Sequence, residues 1–114
     1  MKILVLCDQG NNRSVTVAHH LKYWGHDVLA AGLKMNSPVT LRILYGWADR
    51  IILTESKQLD EMFFPVDDAL RAEILAKVQL WDIGPDIYKR PFNPELLAIV
   101  RRMMEEHKTE YKKA

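Results

Sequence analysis

Lys2-Ile3-Leu4-Val5-Leu6-Cys7 runs directly into Asp8-Gln9-Gly10-Asn11-Asn12-Arg13-Ser14. The apolar run lacks the polar alternation of a half-exposed strand and suits one buried on both faces of a parallel sheet. After Cys7 come five residues of turn chemistry. Ser14 then opens a stretch with apolar positions at Val17, Ala18, Leu21 and Trp24, the spacing of a helix. A strand, a short loop and a helix make the repeating unit of an α/β fold.

The same alternation continues outward. Residues 27–33 read as a second strand ending at Gly32, and Ser37-Pro38 caps a helix with Leu41, Leu44, Tyr45 and Ala48 on one face. Residues 49–54 form a third strand, followed by acidic helical material over 55–64 and 67–77. Residues 78–83 form a fourth strand, Gly84-Pro85 breaks the chain, and Asn93-Pro94 starts a last helix with the stripe Leu96, Ile99, Val100, Met103 and His107. Strands alternating with helices imply right-handed crossovers and a parallel sheet covered on both faces, a three-layer α/β domain. The 114 residues make one domain without repeat or linker, and the polar segment 108–114 is expected to fray.

Composition narrows the function classes. At 48% hydrophobic and 27% charged, the chain has globular averages and is neither disordered nor fibrous. The run 3–7 is far too short for a membrane span or signal-peptide core, so no membrane partner is expected. A net charge of +1 removes the usual compositional case for nucleic acid. The charge is unevenly spread, with sums of +3, −5 and +3 over residues 1–54, 55–86 and 87–114. The acidic middle reads as a solvated helical face. One cysteine cannot form an internal disulfide, so Cys7 is expected to be a thiol in a reducing compartment, the cytoplasm.

In an open α/β sheet ligands bind outside the carboxyl ends of the strands, where the loop between Cys7 and Ser14 lies. A helix N-terminus supplies unpaired N–H groups and a positive dipole end, and successive amides of a tight loop form an anion nest. The same setting favours a cysteine thiolate. Arg13 adds a planar fork that binds two oxygens of a phosphoryl group. With seven arginines and three serines in the chain, Arg-Ser at a fixed distance from a lone cysteine arises by chance with a probability of roughly 0.2%.

Leu6-Cys7-Asp8-Gln9-Gly10-Asn11-Asn12-Arg13-Ser14, between an apolar strand and a helix, resembles the phosphate loop of the low-molecular-weight protein tyrosine phosphatases, in particular a short bacterial and phage branch. Ala30-Ala31-Gly32 resembles the end of that family's second strand, and Trp47-Ala48-Asp49-Arg50-Ile51-Ile52-Leu53 its third. Trp81 to Tyr88 resembles the late loop carrying the general acid, and Pro94-Glu95-Leu96 the start of the last helix. The resemblance covers about residues 2–106. It implies a four-stranded parallel sheet of order 2-1-3-4, no cofactor and no metal. It also implies hydrolysis of a phosphorylated protein or small phosphoester through a phosphocysteine intermediate, with phosphate and other oxyanions as product or inhibitor.

Residue by residue, the resemblance makes Cys7 the nucleophile and Ser14 its hydrogen-bond donor. Asp8, Gln9, Gly10, Asn11, Asn12 and Arg13 become the phosphate cradle. For the acid, Asp86 follows the Gly-Pro break and precedes Ile87-Tyr88, like the family's Asp-Pro-Tyr with isoleucine for proline. Asp82 is the alternative, although a strand-end cap suits it better. Tyr88 and Met35 are candidates for the substrate rim. Three departures stand out: the Gly-Asn pair falls one residue late, Asn12 replaces the second cysteine of many members, and Val15 stands where proline is preferred. Asp8 places a negative charge beside the nucleophile and is expected to point outward.

His19, His20, His26 and His107 lack the spacing of a metal set and read as structural or surface residues. Trp24, Trp47 and Trp81 read as core. Rival functions also fit parts of the pattern. An arsenate reductase that relays oxidation needs further cysteines, and a phosphocarrier resembling the sugar phosphotransferase B subunits does not generally carry an arginine where Arg13 stands. A degenerate anion-binding module would keep the loop without turnover.

Overall fold

The computed structural model describes residues 1–9, 12–62, 67–85 and 87–112. The elements follow in the order β1 (Lys2–Cys7), α1 (Arg13–Tyr23), β2 (Asp27–Gly32), α2 (Pro38–Trp47), β3 (Arg50–Leu53), α3 (Gln58–Met62), α4 (Asp68–Leu75), β4 (Val78–Leu80), α5 (Pro94–Glu106) and α6 (Lys108–Tyr111). The sheet has four strands in the order β2-β1-β3-β4, and every pairing is parallel.

The central strand explains the layering. Side chains of β1 alternate between faces: Ile3 and Val5 join a cluster with Val17, Leu21, Leu96 and Val100, and Leu4 and Leu6 join one with Leu41, Tyr45, Met62 and Ile74. Helices α1 and α5 therefore cover one face, and α2, α3 and α4 the other. All four β1 residues are fully buried, and each such side chain stabilises the fold by about 1.5–3 kcal/mol. This is the three-layer α/β domain expected from the run 2–7.

The caps follow the sequence signals. Ser37 Oγ accepts from the Thr40 amide at 3.2 Å, and Asn93 Oδ1 accepts from the Glu95 amide at 2.9 Å. Pro38 and Pro94 stand in the first turns of their helices, where no amide hydrogen is needed.

The structure corrects two boundaries. Strand β4 stops at Leu80 and not at residue 83: the Trp81 amide still reaches Leu53, but beyond it the ladder becomes irregular, with the Ile83 amide shared between the Trp81 carbonyl at 2.8 Å and the Thr54 carbonyl at 3.1 Å. The apolar pattern persists because Trp81 and Ile83 pack in the core. The expected fraying fails over Lys108–Tyr111, which forms α6 with Tyr111 only 1% exposed. The Tyr111 hydroxyl donates to Gln79 Oε1 at 2.5 Å, and Arg50 pairs with Glu110 at 2.9 Å. One aromatic anchor and two polar ties to the strands hold a segment whose composition is otherwise that of a tail.

Candidate active site

Cys7 is the last residue of β1 and Arg13 the first of α1, so the strand end and the helix start converge on one loop. The loop is fastened on the β2 side by the amides of Leu33 and Lys34, which donate to the carbonyls of Cys7 and Asp8, both at 2.9 Å. Cys7 is buried, and its Sγ lies 3.0 Å from Ser14 Oγ. The Asn12 side chain does not cap α1; its Nδ2 donates to the Tyr88 carbonyl at 2.5 Å. Gly10 and Asn11 lie outside the described residues.

Arg13 has 0% exposure, an expensive position for a charge unless it is paired. Its Nη1 donates to the Gly84 carbonyl at 2.7 Å and to Glu55 Oε1 at 3.2 Å. Gly84 has φ of 92°, a left-handed backbone that favours glycine, and this turn carries the carbonyl that meets the guanidinium. By contrast, Arg13 Nε and Nη2 are buried without a hydrogen-bond partner among the described residues. A guanidinium anchored at one nitrogen, with an edge that makes no hydrogen bond among the described residues, can receive two acceptor oxygens.

Glu55, which the sequence places in an acidic surface segment, grips Arg13 instead. The support comes from the turn between β3 and α3: Gln58 Oε1 accepts from the amides of Thr54 at 2.9 Å and Glu55 at 3.2 Å, and Thr54 Oγ1 donates to the Leu6 carbonyl at 2.9 Å. Thr54 and Gln58 are both fully buried. The signal that finds Glu55 is its place just beyond the carboxyl end of β3, the same rule that singled out Cys7 on β1.

Asp8 does not point outward. It is 7% exposed, and its Oδ2 lies 3.9 Å from Arg13 Nη2, 3.6 Å from Lys34 Nζ and 3.4 Å from Lys57 Nζ. Burial pushes the Asp8 carboxyl up, but Lys57, Lys34 and Arg13 together outweigh it and hold the group below the usual carboxylate range. The cations reach in from the loops after β2 and β3 and turn the side chain inward, which local sequence does not reveal.

The remaining predicted residues divide. Tyr88 is buried in the core cluster shared with α1 and α5, not on an open rim, and it meets the loop through its carbonyl. Met35 is 66% exposed and lines, together with Gln9, a groove of ≈ 460 Å³ between β2 and α2, beside the loop. Asp82 is exposed just past β4. Asp86 lies outside the described residues, but the segment around it is tied to the site at Gly84 through Arg13 and at Tyr88 through Asn12. Among the described residues no group of three or more His, Cys, Asp or Glu side chains is arranged to hold a metal ion.

No protein-family model and no curated protein matches the sequence. Solved structures do match across nearly the full chain. The tyrosine phosphatase AmsI of Erwinia amylovora aligns at 16% identity with a TM-score of 0.66, covering 98% of this chain and 93% of its own. The YwlE arginine phosphatase of Geobacillus stearothermophilus aligns at 18% identity and 0.62, covering 96% and 94%. Vibrio vulnificus Wzb in complex with benzylphosphonate aligns at 17% and 0.62, covering 95% and 94%. The likeness establishes the architecture: this chain has the fold of the low-molecular-weight protein tyrosine phosphatases.

Proposed function

We propose that the chain is a phosphomonoesterase, foremost a protein tyrosine phosphatase, working through a phosphocysteine intermediate without metal or cofactor. The observation that carries this reading is the fully buried Arg13, fixed at Nη1 and without a hydrogen-bond partner among the described residues at Nε and Nη2, six residues after a cysteine whose sulfur lies beside the Ser14 hydroxyl. Likeness in fold to tyrosine and arginine phosphatases supports it.

In this mechanism the Cys7 thiolate attacks phosphorus in line, forming the S–P bond as the ester P–O bond breaks. The Ser14 hydroxyl, 3.0 Å away, donates to the sulfur and holds it in place. Amides from Asp8, Gln9, Gly10, Asn11 and Asn12 to Arg13, with the Arg13 fork, hold the equatorial oxygens, where preorganised donors stabilise the transition state. Asp86 gives its proton to the leaving oxygen. It then takes one from the water that attacks the phosphocysteine, releasing phosphate and restoring the thiolate. Met35 borders the substrate side. The substrate is a phosphorylated protein or small phosphoester, neither nucleic acid nor membrane is a partner, and the protein works in the cytoplasm.

The rival is an anion-binding module without turnover, favoured by the inward Asp8 charge. A steady-state assay in EDTA decides, using wild type and Cys7→Ser with p-nitrophenyl phosphate, a phosphotyrosine peptide and a phosphoarginine peptide. Turnover by wild type alone supports the phosphatase, and the better peptide identifies the phosphoamino acid. Phosphate binding with no hydrolysis of any substrate leaves the binder.

A further inference from the structure

Asp8 and Glu55 divide the Arg13 guanidinium between them. Glu55 meets Nη1 at 3.2 Å, the nitrogen already fixed by the Gly84 carbonyl at 2.7 Å. Asp8 approaches from the other side, with Oδ2 at 3.9 Å from Nη2, too long for a hydrogen bond but close enough for strong Coulombic interaction. Nη2 and Nε form the edge without a hydrogen-bond partner among the described residues. That edge is the one a planar fork offers to two phosphoryl oxygens.

Resting on the reading of the Cys7 to Arg13 loop as a phosphate site, we propose that the Asp8 carboxylate is an internal rival of the oxyanion, set beside Arg13 to weaken the hold on phosphate and hasten its release. An oxygen accepting from Nη2 at about 2.8 Å stands within about 7 Å of Asp8 Oδ2, inside the Debye length and in a site of low dielectric. Two like charges at that separation repel. Lys34 and Lys57, at 3.6 and 3.4 Å from the same carboxylate oxygen, compensate part of the repulsion and keep Asp8 ionised. The ester substrate and the inorganic product share the same oxygens. Product, however, is the species that must leave before the next turnover, and a fixed negative charge beside Arg13 shortens its stay.

A purely structural Asp8 predicts the opposite sign. The carboxylate joins the loops after β1, β2 and β3, and a keystone of that kind loosens Arg13 when it is removed, so phosphate binds more weakly. The test is calorimetric titration of the full chain with inorganic phosphate, for wild type, Asp8→Asn and Asp8→Glu, with thermal melting to check folding. The expected result is binding tightened about three- to tenfold in Asp8→Asn and near wild type in Asp8→Glu, which restores the charge. Weaker or unchanged binding in Asp8→Asn overturns the proposal, as does absence of phosphate binding in every variant. If Asp8→Asn fails to fold, Asp8→Ser removes the same charge and is judged the same way. Titration needs no turnover, so tightened binding in a chain that hydrolyses nothing keeps this proposal and rejects the phosphatase.

Discussion

The two ends of β1 each bury a titratable side chain, and they treat it differently. At the amino end His26 is 6% exposed with both ring nitrogens engaged: Nδ1 lies 3.4 Å from the Met1 ammonium and Nε2 lies 2.5 Å from the Tyr111 carbonyl. The ammonium can only donate, so Nδ1 accepts and Nε2–H donates to the carbonyl. At the carboxyl end Arg13 is satisfied at Nη1 and left open at Nε and Nη2. Buried polar groups in folded proteins nearly always have partners, so the complete set marks a structural tie, and the incomplete one has the room for acceptors that the proposed phosphate site requires.

The contrast breaks if the carboxyl end proves structural. Cys7→Ser is expected to abolish turnover, and Arg13→Lys to lower kcat/KM by about 10²–10³-fold, because a point charge replaces a two-point fork. Both should melt cooperatively as folded proteins. Steady-state kinetics beside circular dichroism checks this, and near wild-type kinetics in Arg13→Lys refutes the clamp.

Asp86 sharpens the same end of the strand. Asp86→Asn is expected to slow hydrolysis by about 10²–10⁴-fold for leaving groups of high pKa and much less for p-nitrophenol, which leaves unprotonated. Asp82→Asn should show no dependence on the leaving group. A series of aryl phosphates measures both slopes; a slope in Asp82→Asn moves the acid four residues back.

The amino end gives the complementary outcome. His26→Leu removes the donor to the Tyr111 carbonyl and should lower stability by about 1–3 kcal/mol in denaturant titrations, with kcat unchanged. A fall in kcat at unchanged stability would couple the two ends and dissolve the distinction.

How much of this was legible depended on the range of the forces involved. The run Ile3 to Leu6, the Ser37 and Asn93 caps and the Cys7 to Ser14 spacing are local patterns, and the sheet and the loop follow from them. The inward turn of Asp8 depends on Lys34 and Lys57, distant in sequence, and the grip of Glu55 depends on the Thr54 and Gln58 network beneath it. Helix α6, Lys108–Tyr111, is too short for periodicity to register and holds through Tyr111, Glu110 and Arg50. Tertiary contacts override composition in all three cases.

The smallest effect comes from Asp49, which joins the start of β1 to the approach to β3. Its Oδ2 accepts from the Lys2 amide at 2.9 Å, and its own amide donates to the Lys2 carbonyl at 2.8 Å. The Lys2 amide bond is the largest influence on the carboxyl and, against slight desolvation and with help from nearby positive charges, holds it below the usual range. A carboxyl lowered in the folded state stabilises the fold above the unfolded value of about 3.9, and the contribution disappears as pH falls through the folded value. Asp49→Asn should therefore cost a small drop in Tm at pH 7, and the gap to wild type should close below about pH 4. Because this carboxylate is exposed, screening keeps the gap small. A gap that persists undiminished into acid would mean that the side chain acts through its shape and not its charge, and melting curves of both proteins across pH 3–7 separate the two.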